Sequence, residues 1–297
     1  MPRKPLPPDL AAAWASAAQL HFLDALMADP VLACDQIAFH GGTSLHFSWR
    51  SPRRSEDLDF LTALTAEDIH ATVARSQKKA VEAFLAEDPL FVVELRDKTR
   101  SGDRMIAYHL VVSHPDYLGK TLVKVEFWQV DAGYLAGYPV EFRSPVSPGD
   151  IVSRISNPVP AATLETAYSD KLTAFATRPY LKWRDIYDLW WIGTQTDSRL
   201  ELSTVTKQFL HNVQAYNTID NLPPAQALRQ FLMTHDPDAI IKKADPDLKR
   251  WLPEGVWARL HPQVTTEMVR YVWYALERVA NAIEKNELDA SLKRVSS

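Results

Sequence analysis

Apolar residues in the first half of the chain follow two different spacings. Leu10, Trp14, Ala18, Phe22 and Leu26 recur at about 3.6-residue intervals, which predicts a helix over residues 9–28. Apolar or alternating runs predict strands at 36–39, 58–62, 90–95, 105–112 and 122–130, and helices at 43–49 and from Thr65 to about residue 86. The first half is therefore expected to be mixed α/β.

The pattern changes in a proline-rich stretch marked by Pro145, Pro148, Pro158 and Pro160. Helical spacing then continues through 161–176, 184–193, 200–216, 224–234 and 264–293. We therefore predict an α+β protein of two domains. A mixed sheet occupies residues 1–150, and a helical domain occupies residues 151–297.

Composition and charge narrow the class of protein. The single cysteine, Cys34, excludes an internal disulfide and a cysteine-rich metal site. The basic start, Met1 to Lys4, precedes no long apolar run, so we expect neither a signal peptide nor a membrane span, and a cytoplasmic location. A net charge of −4 argues against nonspecific coating of nucleic acid, although it allows local basic pockets such as Arg50, Arg53 and Arg54.

Two carboxylates are the first candidate for chemistry. Asp57 and Asp59 alternate with Leu58 on a predicted strand, so they point to one face, about 6–7 Å apart at the backbone. That separation suits metal ions held about 3.5–4 Å from each other in phosphoryl transfer. Glu126, on the polar face of another predicted strand, is the candidate third carboxylate.

A glycine pair precedes the acidic pair. A strand that ends in Gly41-Gly42 and turns into a helix at Thr43 exposes backbone amides that suit a phosphate, and Thr43 or Ser44 would add a hydroxyl. Either pair alone is typical of an ordinary turn or a solvated strand. The order of strand, glycines, short helix, arginines and acidic strand favours a nucleotide site.

These segments also resemble a known family. The first motif of the AbiEii/AbiGii toxins, a branch of the DNA polymerase β-like nucleotidyltransferases, is similar to HGGTSL at 40–45 and SEDLDF at 55–60. The family's later motifs are similar to KVE at 124–126, DKLTA at 170–174, Arg178 and RDIYDL at 184–189. Relatives often carry Gly-Ser where this chain has Gly-Gly-Thr, so the hydroxyl that meets phosphate stays open between Thr43 and Ser44.

The resemblance implies a fold, an activity and partners. It implies a polymerase β-like catalytic domain over 1–150, and a helical domain over 151–297 that completes the active-site cleft. It further implies a cytoplasmic toxin of a toxin–antitoxin or phage-defence system, with a cognate antitoxin. Such an enzyme would transfer nucleotides from a nucleoside triphosphate, in some relatives to the 3′ end of tRNA.

The resemblance also assigns residues. The metal-binding acids match Asp57 and Asp59, the conserved lysine matches Lys171, and the later acidic position matches Asp185. Helical spacing independently places Lys171 on an apolar stripe with Tyr168 and Phe175, so its charge needs a partner. That partner is either a triphosphate or, for a lysine at the edge of the stripe, solvent.

The resulting hypothesis is magnesium-dependent nucleotidyl transfer. Asp57 and Asp59 would bind two magnesium ions, with manganese as a substitute, and Glu126 or Asp185 would act as base. Lys171 and one of the arginines, with Arg54 as our choice, would neutralise triphosphate charge. Two alternatives stay open. One is nucleotidylation or phosphorylation of a protein, and the other is a catalytically silent module that binds nucleic acid or an antitoxin.

Overall fold

A computed structural model describes residues 3–30, 32, 36–100, 102–146, 155–178, 180–195, 200–216 and 222–295. The chain divides into two compact units, Met1–Ala162 and Thr163–Ser297. The predicted boundary between residues 150 and 151, together with Cys34 and Pro148, lies outside the described residues.

The first unit is built on a seven-stranded mixed sheet in the order β4-β5-β7-β3-β2-β9-β8. A further pair of short strands, β1 and β6, runs parallel beside it. The strands are β1 Lys4–Pro5, β2 Ile37–His40, β3 Asp57–Thr62, β4 Val92–Asp97, β5 Met105–Ser113, β6 Tyr117–Leu118, β7 Thr121–Gln129, β8 Val140–Arg143 and β9 Val159–Ala162.

Four helices accompany the sheet in the described part of this unit: α1 Pro8–Met27, α2 Gly41–Trp49, α3 Ala66–Glu87 and α4 Ala132–Ala136. α1 and α3 pack on the sheet face that carries Leu58, Phe60, Val125 and Phe127, all of them buried. Phe60 stacks on Phe127 with ring centroids 5.0 Å apart. This apolar face fixes the register of β3 and β7, because a one-residue slip would expose all of it.

The second unit consists of helices and their connecting segments over its described residues. α5 begins after Thr163, whose side chain accepts a hydrogen bond from the Thr166 amide and so caps the first turn. The helices are α5 Leu164–Thr177, α6 Trp183–Thr194, α7 Leu202–Tyr216, α8 Pro224–Thr234, α9 Pro237–Ile241, α10 Ala244–Leu248, α11 Glu254–Leu260 and α12 Gln263–Val295, with a short 3₁₀ helix at Lys249–Trp251.

The predicted α+β class, a mixed sheet followed by a helical region, is confirmed. One element was wrong: residues 161 and 162, predicted to start a helix, end the strand β9. All four residues of β9 are buried, and β9 lies between β2 and β8. A short apolar run buried on both faces has no alternation to distinguish it from a helix start. Among the described residues, no helix combines the length and apolar character that a membrane crossing requires.

Candidate functional site

The glycine turn lies directly beside the acidic strand. β2 and β3 are antiparallel, and their register pairs His40 with Asp59. The chain therefore leaves β2 next to Asp59 and enters α2 at Gly41, whose φ of +75° is a conformation that residues with a Cβ rarely adopt.

Both glycines allow a close approach that a side chain would prevent. A Cβ on Gly41 would lie 2.5 Å from Oδ2 of Asp59. A Cβ on Gly42 would lie 2.2 Å from Nη2 of Arg53 and 2.9 Å from Oγ of Ser55. The turn thus holds the first amides of α2 against a carboxylate on one side and a guanidinium on the other.

The two hydroxyls that the sequence left open have different surroundings. The Thr43 hydroxyl donates a hydrogen bond to the backbone carbonyl of Asp57, which ties α2 to the start of β3. The Ser44 hydroxyl is buried and has no hydrogen-bond partner among the described residues. Because the first amides of a helix also lack intrahelical partners, this difference favours Ser44 as the hydroxyl for a phosphate.

The acidic pair lies as the alternation predicted. Leu58 and Phe60 are fully buried, while Asp57 and Asp59 are half-buried on the other face. β7 runs parallel to β3, and its register sets Lys124 beside Asp57 and Glu126 beside Asp59. Nζ of Lys124 is 3.7 Å from Oδ1 of Asp57.

The chemistry of this donor set fits a hard divalent cation. Two carboxylates share one face, and a third stands on the adjacent strand, about 4.8 Å away at the backbone. Over the residues that the structure describes, no three or more His, Cys, Asp or Glu side chains are grouped so that they could hold a metal ion. Magnesium is commonly held by one or two carboxylates together with phosphate oxygens and water, and the pair Asp57 and Asp59 matches that number of carboxylates.

The arginines after α2 differ from the expectation in detail. The sequence singled out Arg54, which is exposed, whereas Arg53 is only 2% exposed and lies against Gly42. Nη1 of Arg53 donates to the Arg54 carbonyl at 2.9 Å. The pKa of His46 is lowered by burial and further by the charges of Arg53 and Arg54, although its hydrogen bond with a backbone carbonyl raises it. Positive charge from Arg53 therefore lies on one side of the glycine turn, and the Asp59 carboxylate lies on the other.

The second unit contains its own cluster of charges, between α5 and α6. Nζ of Lys171 lies 2.8 Å from both Oδ1 of Asp185 and Oδ2 of Asp188, and Nη1 of Arg178 lies 2.8 Å from Oδ2 of Asp185. The Asp188 side chain is fully buried, and those of Lys171 and Asp185 are 14% and 8% exposed. The partner that the apolar stripe required for Lys171 is thus a pair of carboxylates.

The sequence named Arg53 among three neighbouring arginines and Arg178 within a family motif, but it did not predict the contacts that place them in these groupings. Arg53 is one of three neighbouring arginines, and only the fold determines which of them reaches Gly42. Arg178 follows α5, and its contact with Asp185 depends on the turn that leads into α6. Both contacts depend on the tertiary structure, so no local sequence pattern could have predicted them.

Comparison with known families gives a match over most of the chain. The family described as "Nucleotidyl transferase AbiEii toxin, Type IV TA system" matches residues 22–259. The match contains both the acidic pair and the cluster around Lys171. A comparison with curated protein sequences gives no match.

Two solved structures from different bacteria illustrate the similarity in fold. JHP933 from Helicobacter pylori has 18% sequence identity and a TM-score of 0.52, covering 98% of this chain and 100% of its own. MenT4, a nucleotidyltransferase toxin from Mycobacterium tuberculosis, has 18% identity and a TM-score of 0.58, covering 93% of this chain and 92% of its own. At 18% sequence identity, these structural similarities show that the chain shares their fold, and they show the fold alone.

Proposed function

Because this chain belongs to the AbiEii family of nucleotidyl transferase toxins, which are components of type IV toxin–antitoxin systems, we propose that it transfers nucleotides from a nucleoside triphosphate to the 3′ end of a tRNA. The reacting centre in this proposal is the face of β3 that carries Asp57 and Asp59. Family membership also implies an antitoxin partner. A cytoplasmic location and a role in phage defence stay predictions.

The contact between Gly41 and Asp59 carries the proposal. A phosphate at the first amides of α2 would lie beside the Asp59 carboxylate, because Gly41 has no side chain to separate them. Two anions at this distance repel each other unless a cation lies between them. The geometry therefore supports a triphosphate bound together with a divalent metal.

Each residue of the site supports one part of this reaction. Asp57 and Asp59 would hold two magnesium ions, or manganese in their place, and Gly41, Gly42 and Ser44 would bind phosphate oxygens. When bound, the ions would neutralise charge on the triphosphate while the acceptor hydroxyl attacks the α-phosphate and pyrophosphate leaves. Thr43, which the sequence also offered for phosphate, would position the start of β3 through its bond to Asp57.

The acceptor hydroxyl needs a base, for which the sequence offered Glu126 and Asp185. Glu126 lies beside Asp59 in the sheet. Each carboxylate oxygen of Asp185 already accepts a hydrogen bond from a cation, Lys171 or Arg178. Cations stabilise the unprotonated carboxylate of Asp185 and so weaken it as a base, and Glu126 lies beside the proposed metal ligand Asp59, so we assign proton removal to Glu126. A direct role for Lys171, Asp185 or Arg54 in the reaction stays a prediction.

An incorporation assay tests the acceptor. The protein is incubated with each α-³²P-labelled triphosphate, total cell RNA and total cell protein, with magnesium or with EDTA, and the products are resolved on one gel. We expect label in a band of tRNA size with magnesium and none with EDTA. Label on protein alone would contradict the acceptor and favour protein modification. An absence of label under every condition would favour the silent binding module.

A further inference from the structure

The sheet face that carries the acidic pair continues across three more strands. The register pairs Asp57 with Lys124, Lys124 with His109, and His109 with Arg96, on β3, β7, β5 and β4 in turn. Paired residues on neighbouring strands share a face. Lys98 lies two residues beyond Arg96, and its amide donates to the Ala107 carbonyl at 2.7 Å, which continues the pairing with β5. We call Arg96, Lys98, His109 and Lys124 the basic row.

The basic row lies on the face opposite the packed core. The neighbouring register line, which joins Leu58, Val125 and Tyr108, points to the other face and is buried under α1 and α3. On the row itself, the side chains of Arg96 and Lys124 are 46% and 48% exposed. The row is therefore open to a ligand in solution.

The charges of the row act on one another. Burial lowers the pKa of His109, and the cations Lys98, Lys124 and Arg96 lower it further, while Asp57 raises it. The positive charge of the row is therefore assigned to Arg96, Lys98 and Lys124.

The same face also carries the carboxylates of Glu94, Asp57, Asp59 and Glu126, and two of these carboxylates pair directly with the row. Nε of Arg96 is 3.0 Å from Oε2 of Glu94, and Lys124 faces Asp57 at 3.7 Å. Both pairs are substantially exposed, and exposed pairs contribute little free energy, so a phosphate can replace either carboxylate as partner.

The row and the glycine turn lie on opposite sides of the acidic strand. In the sheet order, β3 stands between β2, which leads into the turn, and β7, where the row begins. A donor triphosphate at the turn would leave the row free. Three strand spacings of about 4.8 Å separate Asp57 on β3 from Arg96 on β4, so Arg96 lies about 14 Å from Asp57, which is the rise of about four stacked nucleotides.

We propose that the basic row binds the phosphate backbone of the nucleic-acid acceptor, with the acceptor's terminal nucleotide at Asp57; this rests on the nucleotidyl transfer proposed above. Arg96 and Lys98 would hold backbone phosphates a few nucleotides back from the end. Lys124 would hold the phosphate next to the reacting hydroxyl. Arg96 and Lys98 thus favour a nucleic-acid acceptor through charges that lie outside the donor site.

Fluorescence anisotropy of a 5′-labelled single-stranded octaribonucleotide, titrated over a series of salt concentrations, tests the proposal. The variant combines Arg96→Gln with Lys98→Gln. Its matched control combines Lys78→Gln with Lys79→Gln, two exposed lysines of α3, which packs on the other face of the sheet. We expect the row variant to bind on the order of tenfold more weakly near 0.1 M salt, with a salt slope shallower by about 1.4. The control should bind as the wild type does, and all three proteins should share one thermal unfolding midpoint.

The length of the RNA and competition by polyglutamate provide two further tests of the proposal. A labelled dinucleotide is too short to reach Arg96 from Asp57, so the row variant and the wild type should bind it alike. Equal binding of the octanucleotide by both would overturn the proposal, as would an absence of octanucleotide binding by the wild type. In a competition experiment, unlabelled RNA and polyglutamate of equal charge are compared as competitors of the labelled RNA. If polyglutamate displaces the labelled RNA as effectively as unlabelled RNA does, the row is a surface for acidic protein, and the nucleic-acid assignment is overturned.

This measurement is separate from catalysis, because it uses no triphosphate and no transfer. If the wild type labels no acceptor but binds RNA more tightly than the row variant does, the proposed nucleotidyl transfer is contradicted and the RNA-binding role of the row is supported. If the wild type labels RNA but the row variant binds RNA as tightly as the wild type does, the RNA-binding role of the row is contradicted and the proposed nucleotidyl transfer is supported.

Discussion

Replacement of Asp59 by asparagine is expected to reduce nucleotide incorporation by on the order of a thousandfold. The amide keeps the shape of the side chain, so the close approach of Gly41 is preserved, while the charge that would hold a metal ion is lost. Metal-assisted charge stabilisation contributes several kcal/mol to a transition state, and about 4 kcal/mol corresponds to a thousandfold in rate. The measurement is the initial rate of label transfer from an α-³²P-labelled triphosphate.

The matched control for this variant is Glu56→Gln. Glu56 is an exposed acid just before β3, and it has no place in the proposed site. Its replacement removes one negative charge from the same neighbourhood and should leave the rate near that of the wild type. Equal rates for wild type and Asp59→Asn would contradict the site assignment, and equal losses in both variants would show a general effect of charge.

Replacement of Lys171 by methionine is expected to lower the free energy of unfolding by about 3–5 kcal/mol. Methionine fills the space of the lysine stem but leaves Asp188, which is fully buried, without the ammonium 2.8 Å away. Asp185 keeps its contact with Arg178. Removal of one member of a buried ion cluster destabilises strongly because the remaining charge stays buried. Urea unfolding followed by tryptophan fluorescence measures the loss.

Lys207→Met provides the comparison, since Lys207 is an exposed lysine of α7 in the same unit. A surface change of this kind should alter stability by no more than about 0.5 kcal/mol. Unchanged stability of Lys171→Met, combined with weaker triphosphate binding, would contradict the structural role and restore the triphosphate as the principal partner of Lys171.

The acidic pair could be predicted from the sequence because strand alternation is a local property. Leu58 and Phe60 mark the buried face of β3, so Asp57 and Asp59 must share the other. The neighbour relation between Asp59 and Glu126 is different. It requires the order of strands and the register of β3 against β7, which residues far apart in the chain determine together.

Burial explains the elements that the sequence predicted poorly. β9 is apolar at every position, and two of its four residues are alanines, which favour helices, so its pattern does not identify a strand. Its place between β2 and β8 in the sheet decides its structure. The partners of Lys171 are a similar case. The apolar stripe on α5 showed that a partner was needed, but Asp185 and Asp188 lie on another helix, and the packing of α5 against α6 brings them together.

A crystal structure with a non-hydrolysable triphosphate analogue and manganese tests the central claim most directly, because anomalous scattering locates manganese ions. The account predicts manganese on the carboxylates of Asp57 and Asp59, with phosphate oxygens against the amides of Gly41 and Gly42. An ordered triphosphate held elsewhere, with both carboxylates away from the metal, would contradict it.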